Sequence, residues 1–339
     1  MSPPLPDHAL LVHAMLMGNP WLQGLVVGGA VASAALSIAG FSIWFERKFA
    51  GRMQNRPGPT EVGPAGLLQL VADVLKMLQK DDVVPAKADR ALFILAPPLT
   101  LLFAASALAV IPWGSGVAVA DLHIGLLFAL SMSSLVVVPV WMAGWASNNK
   151  YALLAGMRAA AQAISYEIPL LLSAMVPIVL AGSFRMGDIV AAQHGLRWFA
   201  LWPPGPGFFA FLMFFMAALA ESNRIPFDIP EAESELIAGV STEYGGMKFG
   251  LFYLTEYLHS FIASAIGAAL FLGGEDMGPL GHGMHWMMLK TLVLFVSIFW
   301  IRWSWMRFRA DQLMALCWKV LVPGGLVLVM TSALWVQFL

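Results

Sequence analysis

The chain has 339 residues, of which 59% are hydrophobic and 12% are charged, and its formal net charge at pH 7 is −1. Soluble domains carry about 25% charged residues, so this chain lacks the charge to cover a soluble surface of its length. The near-neutral balance excludes the basic field that nucleic-acid binding needs. The single cysteine, Cys317, excludes an intrachain disulfide, a cysteine-based zinc site and an iron–sulfur cluster held by this chain alone. The composition therefore indicates an integral membrane protein surrounded by lipid.

Eight apolar stretches are long enough to cross about 30 Å of hydrocarbon. They cover residues 21–45, 91–112, 123–146, 159–181, 207–221, 249–272, 287–305 and 317–337. Backbone groups in lipid must hydrogen-bond internally, and these runs are too long for barrel strands, so we expect helices. The predicted fold is an all-α integral membrane protein with a single polytopic domain over 1–339. Its two long cytoplasmic loops are predicted at 46–90 and 222–248.

The basic residues predict the orientation of the spans. Sixteen of the 19 Lys and Arg residues fall in loops on one side, and the other three, Arg185, Arg197 and Lys290, fall on the opposite side. By the positive-inside rule the basic side faces the cytoplasm. Because eight spans return the chain to its starting side, both termini are predicted to face outward.

The first long loop contains an amphipathic segment over residues 62–80. Apolar side chains recur at helical spacing from Leu67 to Leu78, polar side chains take the other face, and Pro64 lies near the predicted helix start. Such a helix is too polar to span the bilayer and should lie at its surface. It either caps the helix bundle or forms a lid over a cavity for an amphiphilic ligand.

The acidic residues are concentrated in one part of the sequence. Seven of the 20 acids lie within 36 residues: Glu221, Asp228, Glu231, Glu233, Glu235, Glu243 and Glu256. A solvated acidic loop is the usual interpretation of such a run. Interleaved apolar residues, together with Pro226 and Pro230, instead favour a loop folded back against the bundle. Carboxylates held there would be desolvated, which suits groups that take up and release protons.

Two carboxylates lie within predicted spans. Glu167 and Glu256 are placed about 13 Å and about 12 Å into the bilayer, counted at 1.5 Å per residue from the nearest basic residue. An ionised group at that depth costs a few kcal/mol and usually faces a polar interior. Each is either a structural partner of a Lys or Arg from another helix or a member of a proton or ligand path. The isolated His259 is interpreted as structural.

Four ordered motifs resemble those of one family, the H subunit (subunit 1 in mitochondria) of respiratory NADH:quinone oxidoreductase, complex I. They begin at Glu46 (ERKFAGRMQNRPGP, continuing through VGPAGLLQ), Glu221 (ESNRIPFDIPEAESEL), Thr242 (TEYGGMKF) and Arg307 (RFRADQLM). The resemblance runs from about residue 21 to the C-terminus. It implies eight spans with the N-terminus outside, which agrees with the distribution of basic residues. The lack of a transit peptide and the high content of Ala, Gly and Pro favour a bacterial inner membrane, so both termini are expected to be periplasmic.

The resemblance also implies a function, partners and cofactors. In this family the chain anchors the peripheral arm and forms the membrane-side part of the quinone-binding chamber, with a quinone such as ubiquinone as substrate. FMN and the iron–sulfur clusters are held only by partner subunits, and no metal site is expected in this chain. The implied partners are the peripheral-arm subunits of the quinone site and the small and antiporter-like membrane subunits.

Family roles transfer to matching positions of this sequence. The chamber and its entrance are expected to involve Glu46, Arg47, Arg56, Leu67 and Phe227, which favours the lid interpretation of the amphipathic helix. Proton coupling is expected to involve Glu167, Glu221, Asp228, Glu231, Glu233, Glu235, Glu243 and Glu256.

Two alternatives remain at the level of the sequence. A homologous anchor protein of a membrane-bound hydrogenase would share the fold without holding quinone, although the full set of first-loop motifs favours complex I. A secondary transporter would use buried Glu residues to bind a coupling ion, but the sequence shows no internal repeat.

Overall fold

A computed structural model describes residues 20–114, 118–195, 197–230 and 237–338, with side chains from residue 24 onward. Within these ranges the chain is helical, apart from loops and a single β-bridge between Asp276 and His282. The α-helices are α1 (Pro20–Met53), α2 (Gln69–Gln79), α3 (Arg90–Leu108), α4 (Gly125–Leu135), α5 (Val137–Ala146), α6 (Lys150–Ala181), α7 (Met186–Ala191), α8 (Pro206–Glu221), α9 (Gly246–Phe271), α10 (Met284–Ser304), α11 (Ala310–Leu316) and α12 (Val322–Phe338).

The predicted class is confirmed, because seven helical segments of the described chain are long and apolar enough to cross a membrane. The fifth predicted span is α8, which has only 16 residues. At 1.5 Å per residue it is about 24 Å long, shorter than the hydrocarbon core of a typical bilayer. The count of eight spans therefore stays a prediction.

Proline residues explain two irregularities in the spans. The third predicted span divides at Val136 into α4 and α5, since Pro139 has no N–H to donate to the carbonyl of Leu135 four residues earlier. The last span begins as α11, passes through a π-helical turn at Cys317–Leu321 and continues as α12, with Pro323 directly after the turn.

The loop after α1 begins later than the sequence predicts. Helix α1 extends to Met53, so the basic segment that follows the first span is helical rather than part of a loop. Glu46 and Ala50, one helical turn apart, are both buried, so this extension packs against the bundle. The first loop therefore starts at residue 54.

The amphipathic helix is confirmed but is shorter than the predicted 62–80. Residues Pro64–Gly66 form a 3₁₀ turn, and α2 starts only at Gln69. The backbone before α2 is left-handed at Gly63 and Gly66, with φ of 73° and 72°, and a continuous α-helix cannot include such residues. A side chain at Gly66 would also collide with the carbonyl of Pro59, so glycine is required there.

Helix α9 lies at the centre of the bundle. About 78% of its most apolar 18-residue window is buried, and it packs against α1, α2, α3, α7, α8 and α10. Small residues such as Ser260, Ala263, Ser264 and Gly267 let the neighbouring helices approach closely. The polar side chains of α9 are consequently enclosed by protein rather than exposed to lipid.

Buried polar contacts fix the loop between α9 and α10, at the end of α9 that is farther from α2. The ammonium group of Lys290 donates to the backbone carbonyls of Leu272, Gly274 and Asp276 at 2.6, 2.9 and 2.5 Å. The carboxylate of Asp276 accepts from the backbone N–H groups of Gly195 and Gly278 at 3.0 and 2.6 Å. One lysine thus satisfies carbonyls at the end of α9, and one aspartate joins two loops.

We predict that the Asp276 contacts stabilise the fold in a pH-dependent way. Burial opposes ionisation of Asp276, but the two backbone N–H groups, with His282 and Lys290, outweigh it and hold its pKa below the ordinary value. A lowered folded-state pKa gives stability that is present above the unfolded-state pKa and lost as pH falls through the folded-state pKa.

Asp276→Asn should therefore lower the melting temperature of the detergent-solubilised protein at pH 7, measured as the temperature at which half of the protein has left solution. The difference from the unchanged protein should shrink below about pH 4, where the carboxyl becomes protonated in the unfolded chain. An equal difference at pH 7 and pH 3 would contradict this account. The exposed Asp188→Asn is the matched control.

Candidate functional site

A partly open cavity lies between the helices, on the side of the bundle that carries most of the basic residues; its wall is mainly apolar and carries a few ionisable and hydroxyl groups. Its volume is about 100 Å³, which is room for several water molecules. Helices α3, α4, α6, α8 and α9 contribute side chains to its wall. Its ionisable lining residues are Glu167, Glu221, Glu256 and His259, and its hydroxyl residues include Thr100, Ser133 and Thr255. Three of the eight predicted proton-coupling residues thus line one cavity.

A chain of charges leads from this cavity to the end of α1. Arg224 Nη2 lies 3.8 Å from Glu256 Oε2, and Arg224 Nη1 lies 3.9 Å from Glu46 Oε2. The other Glu46 oxygen accepts from Arg302 at 2.6 Å. The guanidinium of Arg224 also stacks on the ring of Tyr257, 4.2 Å from its centroid. Arg224 is only 2% exposed, so these interactions act with little solvent screening.

The first part of the acidic loop is folded back against the bundle. Gln162 Nε2 on α6 donates to the carbonyls of Ala220 and Phe227, both at 2.7 Å. The backbone N–H of Phe308 donates to the carbonyl of Pro226 at 2.9 Å. These contacts from two elements hold Arg224 in place. The structure therefore favours the folded-back interpretation for residues 222–230 over a solvated loop.

The remaining predicted coupling residues are distributed differently. Asp228 is half-buried in the folded-back part of the loop. Glu243 lies outside the cavity and accepts from Asn149 Nδ2 at 2.7 Å. Glu231, Glu233 and Glu235 lie outside the described residues.

The residues predicted for the chamber and entrance also separate into groups. Arg47 pairs with Asp73 of α2, whose other oxygen accepts from Gln69 at 3.0 Å. Arg56 is exposed and hydrogen-bonds to Gln54. Phe227 is 3% exposed and lies between the rings of Tyr166 and Phe308, with centroids 5.7 Å from each.

Leu67 begins an exposed apolar strip on the segment that contains α2. The other side chains of the strip are Leu68, Val71, Leu75 and Leu78, and each is 45% or more exposed, as Leu67 is. No residue of α2 is buried in the chain itself. A helix with this surface requires lipid, an amphiphilic ligand or a partner chain against its apolar face.

Sequence reasoning missed several members of the site. Arg302 and Ser133 carried no motif signal that joined them to a carboxylate, because both reach their partners across helices. His259 was interpreted as an isolated structural residue, yet it lies in the cavity wall 3.7 Å from Glu221. Its spacing of three residues from Glu256 was the available signal, since residues i and i+3 share a helix face.

The fold and site define a polytopic α-helical membrane protein that encloses a cluster of carboxylates at the base of a folded-back acidic loop. The family model for NADH dehydrogenase matches residues 26–333. The chain belongs to this family, and the resemblance found in the sequence motifs is confirmed.

The relatives of this chain carry the same description, the H subunit of NADH-quinone oxidoreductase. The chain is 49% identical over 296 residues to the relative from Dehalococcoides mccartyi strain CBDB1, covering 86% of this chain and 80% of the relative. It is 47% identical to the relative from Geobacillus kaustophilus, with coverage of 91% and 92%. It is 43% identical to the relative from Rhodospirillum centenum, with coverage of 94% and 97%.

We predict that Arg224 and Glu256 are energetically coupled. Arg224→Gln removes the cation that Glu256 and Glu46 both face, and breaking a buried pair typically costs about 3–5 kcal/mol. Adding Glu256→Gln removes one of the two carboxylates, so the double variant should recover part of the lost stability. The measurement is the midpoint temperature of the detergent-solubilised protein for the two single variants and the double variant. Strictly additive losses would contradict the coupling.

Proposed function

We propose that this chain is the membrane component of an NADH:quinone oxidoreductase that forms the membrane side of the quinone chamber and couples quinone reduction to proton translocation. One observation carries the proposal: Glu167, Glu221 and Glu256 line one cavity, and Arg224 links Glu256 to Glu46 on α1. Glu46 is followed directly by Arg47, which contacts α2. Charge can therefore act over one continuous set of contacts between the first loop and the cavity.

The substrate of the proposed reaction is a quinone, with ubiquinone as the leading candidate. A quinone combines a polar head with an apolar tail, and the end of the bundle near α2 offers both kinds of surface. A small cleft there is lined by apolar Ile43 and Leu70 and by the paired Arg47 and Asp73. The exposed apolar strip of α2 lies beside it and would contact the tail as it enters from lipid. This arrangement supports a lid rather than a simple cap.

The redox groups belong to partner chains in this proposal. The described residues contain no group of three or more His, Cys, Asp or Glu side chains placed to hold a metal ion. In the proposed complex, FMN and iron–sulfur clusters lie in the peripheral arm, which this chain anchors through its cytoplasmic loops. Small and antiporter-like membrane subunits would pack against the lipid-facing helices.

The proposed coupling is electrostatic. Reduction of a quinone places negative charge near the first loop and draws protons. Glu46 and Glu256 both face Arg224, so a change in charge at one end alters the preferred position and protonation of the other. Because Arg224 is buried, the effective dielectric constant is nearer 20 than 80 and the interaction is several times stronger than in water. Glu167 and Glu221 would pass this change to neighbouring subunits.

The proposed location is the bacterial inner membrane with both termini on the periplasmic side. In this orientation the first loop and the acidic loop face the cytoplasm, where the peripheral arm binds. The outer contacts of Lys290 and Asp276 then form the periplasmic end of the bundle.

The first test is purification of the tagged protein from its native membrane in mild detergent, followed by assay of NADH-dependent reduction of a short-chain quinone. We expect quinone-reductase activity to co-purify with flavin- and iron–sulfur-containing chains. Co-purification with a nickel–iron hydrogenase would leave the fold assignment intact and contradict the quinone role. Recovery of the chain alone, with solute uptake in vesicles, would support a transporter instead.

The coupling role predicts the behaviour of Glu167→Gln and Glu256→Gln. Each change removes a group that exchanges protons and keeps its size, so the number of protons pumped per NADH oxidised should fall roughly twofold or more. The ratio is measured in inverted membrane vesicles and normalised to assembled complex on a native gel. Glu275→Gln on the outer side is the matched control and should keep the unchanged ratio. Normal pumping in both variants would exclude these residues from the path.

A further inference from the structure

His259 and Ser133 form a buried pair beside Glu221. Ser133 Oγ lies 2.6 Å from His259 Nε2, and Glu221 Oε1 lies 3.7 Å from the same nitrogen. The three side chains come from α4, α9 and the end of α8, so the tertiary fold alone brings them together. The side chains of His259 and Glu221 are 6% and 8% exposed, and Ser133 is 7% exposed. Their hydrogen bonds are therefore made with protein or enclosed water.

Packing alone does not explain an imidazole at this position. His259 Nδ1 is buried and has no hydrogen-bond partner within the described chain, whereas buried polar atoms nearly always have one. His259 also lines the cavity that holds three carboxylates. Among the ionisable residues that line this cavity, it is the one that becomes positive when it binds a proton. A purely structural site would be filled at lower cost by an apolar side chain.

We propose that Glu221, Ser133 and His259 form a proton-sharing triad, a relay branch beyond the path set out under the proposed function, on which it rests. The triad holds one proton in either of two positions. In the first, Glu221 is a neutral acid and His259 a neutral imidazole. In the second, Glu221 is a carboxylate and His259 an imidazolium. The net charge of the triad is zero in both, so moving the proton does not change the charge buried in the cavity.

Ser133 carries the proton between the two end groups. The O–H bond of Glu221 breaks as its proton binds Ser133 Oγ, and the Ser133 O–H bond breaks as its proton binds His259 Nε2. Serine is unchanged after the step, and no other reactant is needed. Ser133 makes a side-chain hydrogen bond with Glu221, and its Oγ lies 2.6 Å from His259 Nε2, so both steps of the transfer follow hydrogen bonds. The direct distance of 3.7 Å from Glu221 Oε1 to His259 Nε2 exceeds a hydrogen bond.

The neighbouring charges decide which position the proton takes. Glu167 from α6 and Glu256 from α9 line the same cavity as the triad, and Arg224 lies 3.8 Å from Glu256. Glu256 precedes His259 by three residues, so both lie on one face of α9. An ionised Glu256 favours the imidazolium and leaves Glu221 negative, while a neutral Glu256 returns the proton to Glu221. The triad thus transmits a change in the charge of Glu256 to Glu221.

The decisive comparison is Ser133→Ala against Ser133→Thr. Alanine removes the hydroxyl and fits the space, whereas threonine keeps the hydroxyl and adds a methyl group. A relay role therefore predicts that alanine lowers the protons pumped per NADH roughly threefold or more and that threonine keeps most of the ratio. If Ser133 only fills space, the alanine variant should keep most of the proton-to-NADH ratio and the larger threonine should lower it. Ser264→Ala is the matched control, because this buried hydroxyl on α9 bonds to the carbonyl of Ser260 in its own helix.

Two further variants separate failure of the triad from failure of the proposed function. His259→Gln keeps a polar side chain that cannot take up a proton, and it should lower the ratio as much as Ser133→Ala. Glu221→Gln tests the proposed function itself. All ratios are measured on the whole complex in inverted native membranes and normalised to assembled complex.

If Glu221→Gln pumps normally, the coupling role of Glu221 and with it the triad are wrong. If Glu221→Gln is impaired while Ser133→Ala and His259→Gln pump normally, the triad alone is wrong. Equal losses in Ser133→Ala and Ser133→Thr would also overturn the triad, because the hydroxyl would then not be the functional group.

Discussion

The buried guanidinium of Arg224 is the interaction on which the site depends. It faces one carboxylate on α1, another on α9 and the ring of Tyr257, and it is held by a loop that is itself anchored to α6. A cation this deeply buried is tolerated only where opposite charge and an aromatic face replace water. The contacts of Arg224 therefore join α1, α9 and the acidic loop beside the cavity.

The central position of α9 follows from the same requirement. A helix that carries Glu256 and His259 cannot face lipid, so its surroundings must be protein on nearly every side. Small residues in the C-terminal half of α9 make that close packing possible, whereas Lys248 and Glu256 lie in the N-terminal half and His259 lies near the middle. The order of residues along α9 therefore determines both how closely neighbouring helices pack and where the ionisable groups lie.

Much of the fold could be predicted from the sequence, and less of the site. Apolar runs predicted an all-helical membrane protein, because lipid imposes length and composition on each helix separately. The helix bounds were less visible, since α6 begins at Lys150 and not at residue 159. The positions of Glu167 and Glu256 inside spans were also visible. The extension of α1 past Glu46 was missed, because burial of Glu46 depends on Arg224 and Arg302 from distant segments. The role of Ser133 could not be predicted for the same reason, because its hydroxyl contacts His259 on a different helix.

The shortness of α8 has a consequence for the carboxylate at its end. A 16-residue helix falls about 6 Å short of a typical hydrocarbon core, a hydrophobic mismatch that a lone helix would relieve by thinning the bilayer. In this chain Gln162 donates to the carbonyl of Ala220, so another helix supplies the hydrogen-bond partner that lipid could not. The side chain of Glu221, the last residue of α8, is 8% exposed, so protein rather than lipid surrounds the carboxylate at the end of this short helix.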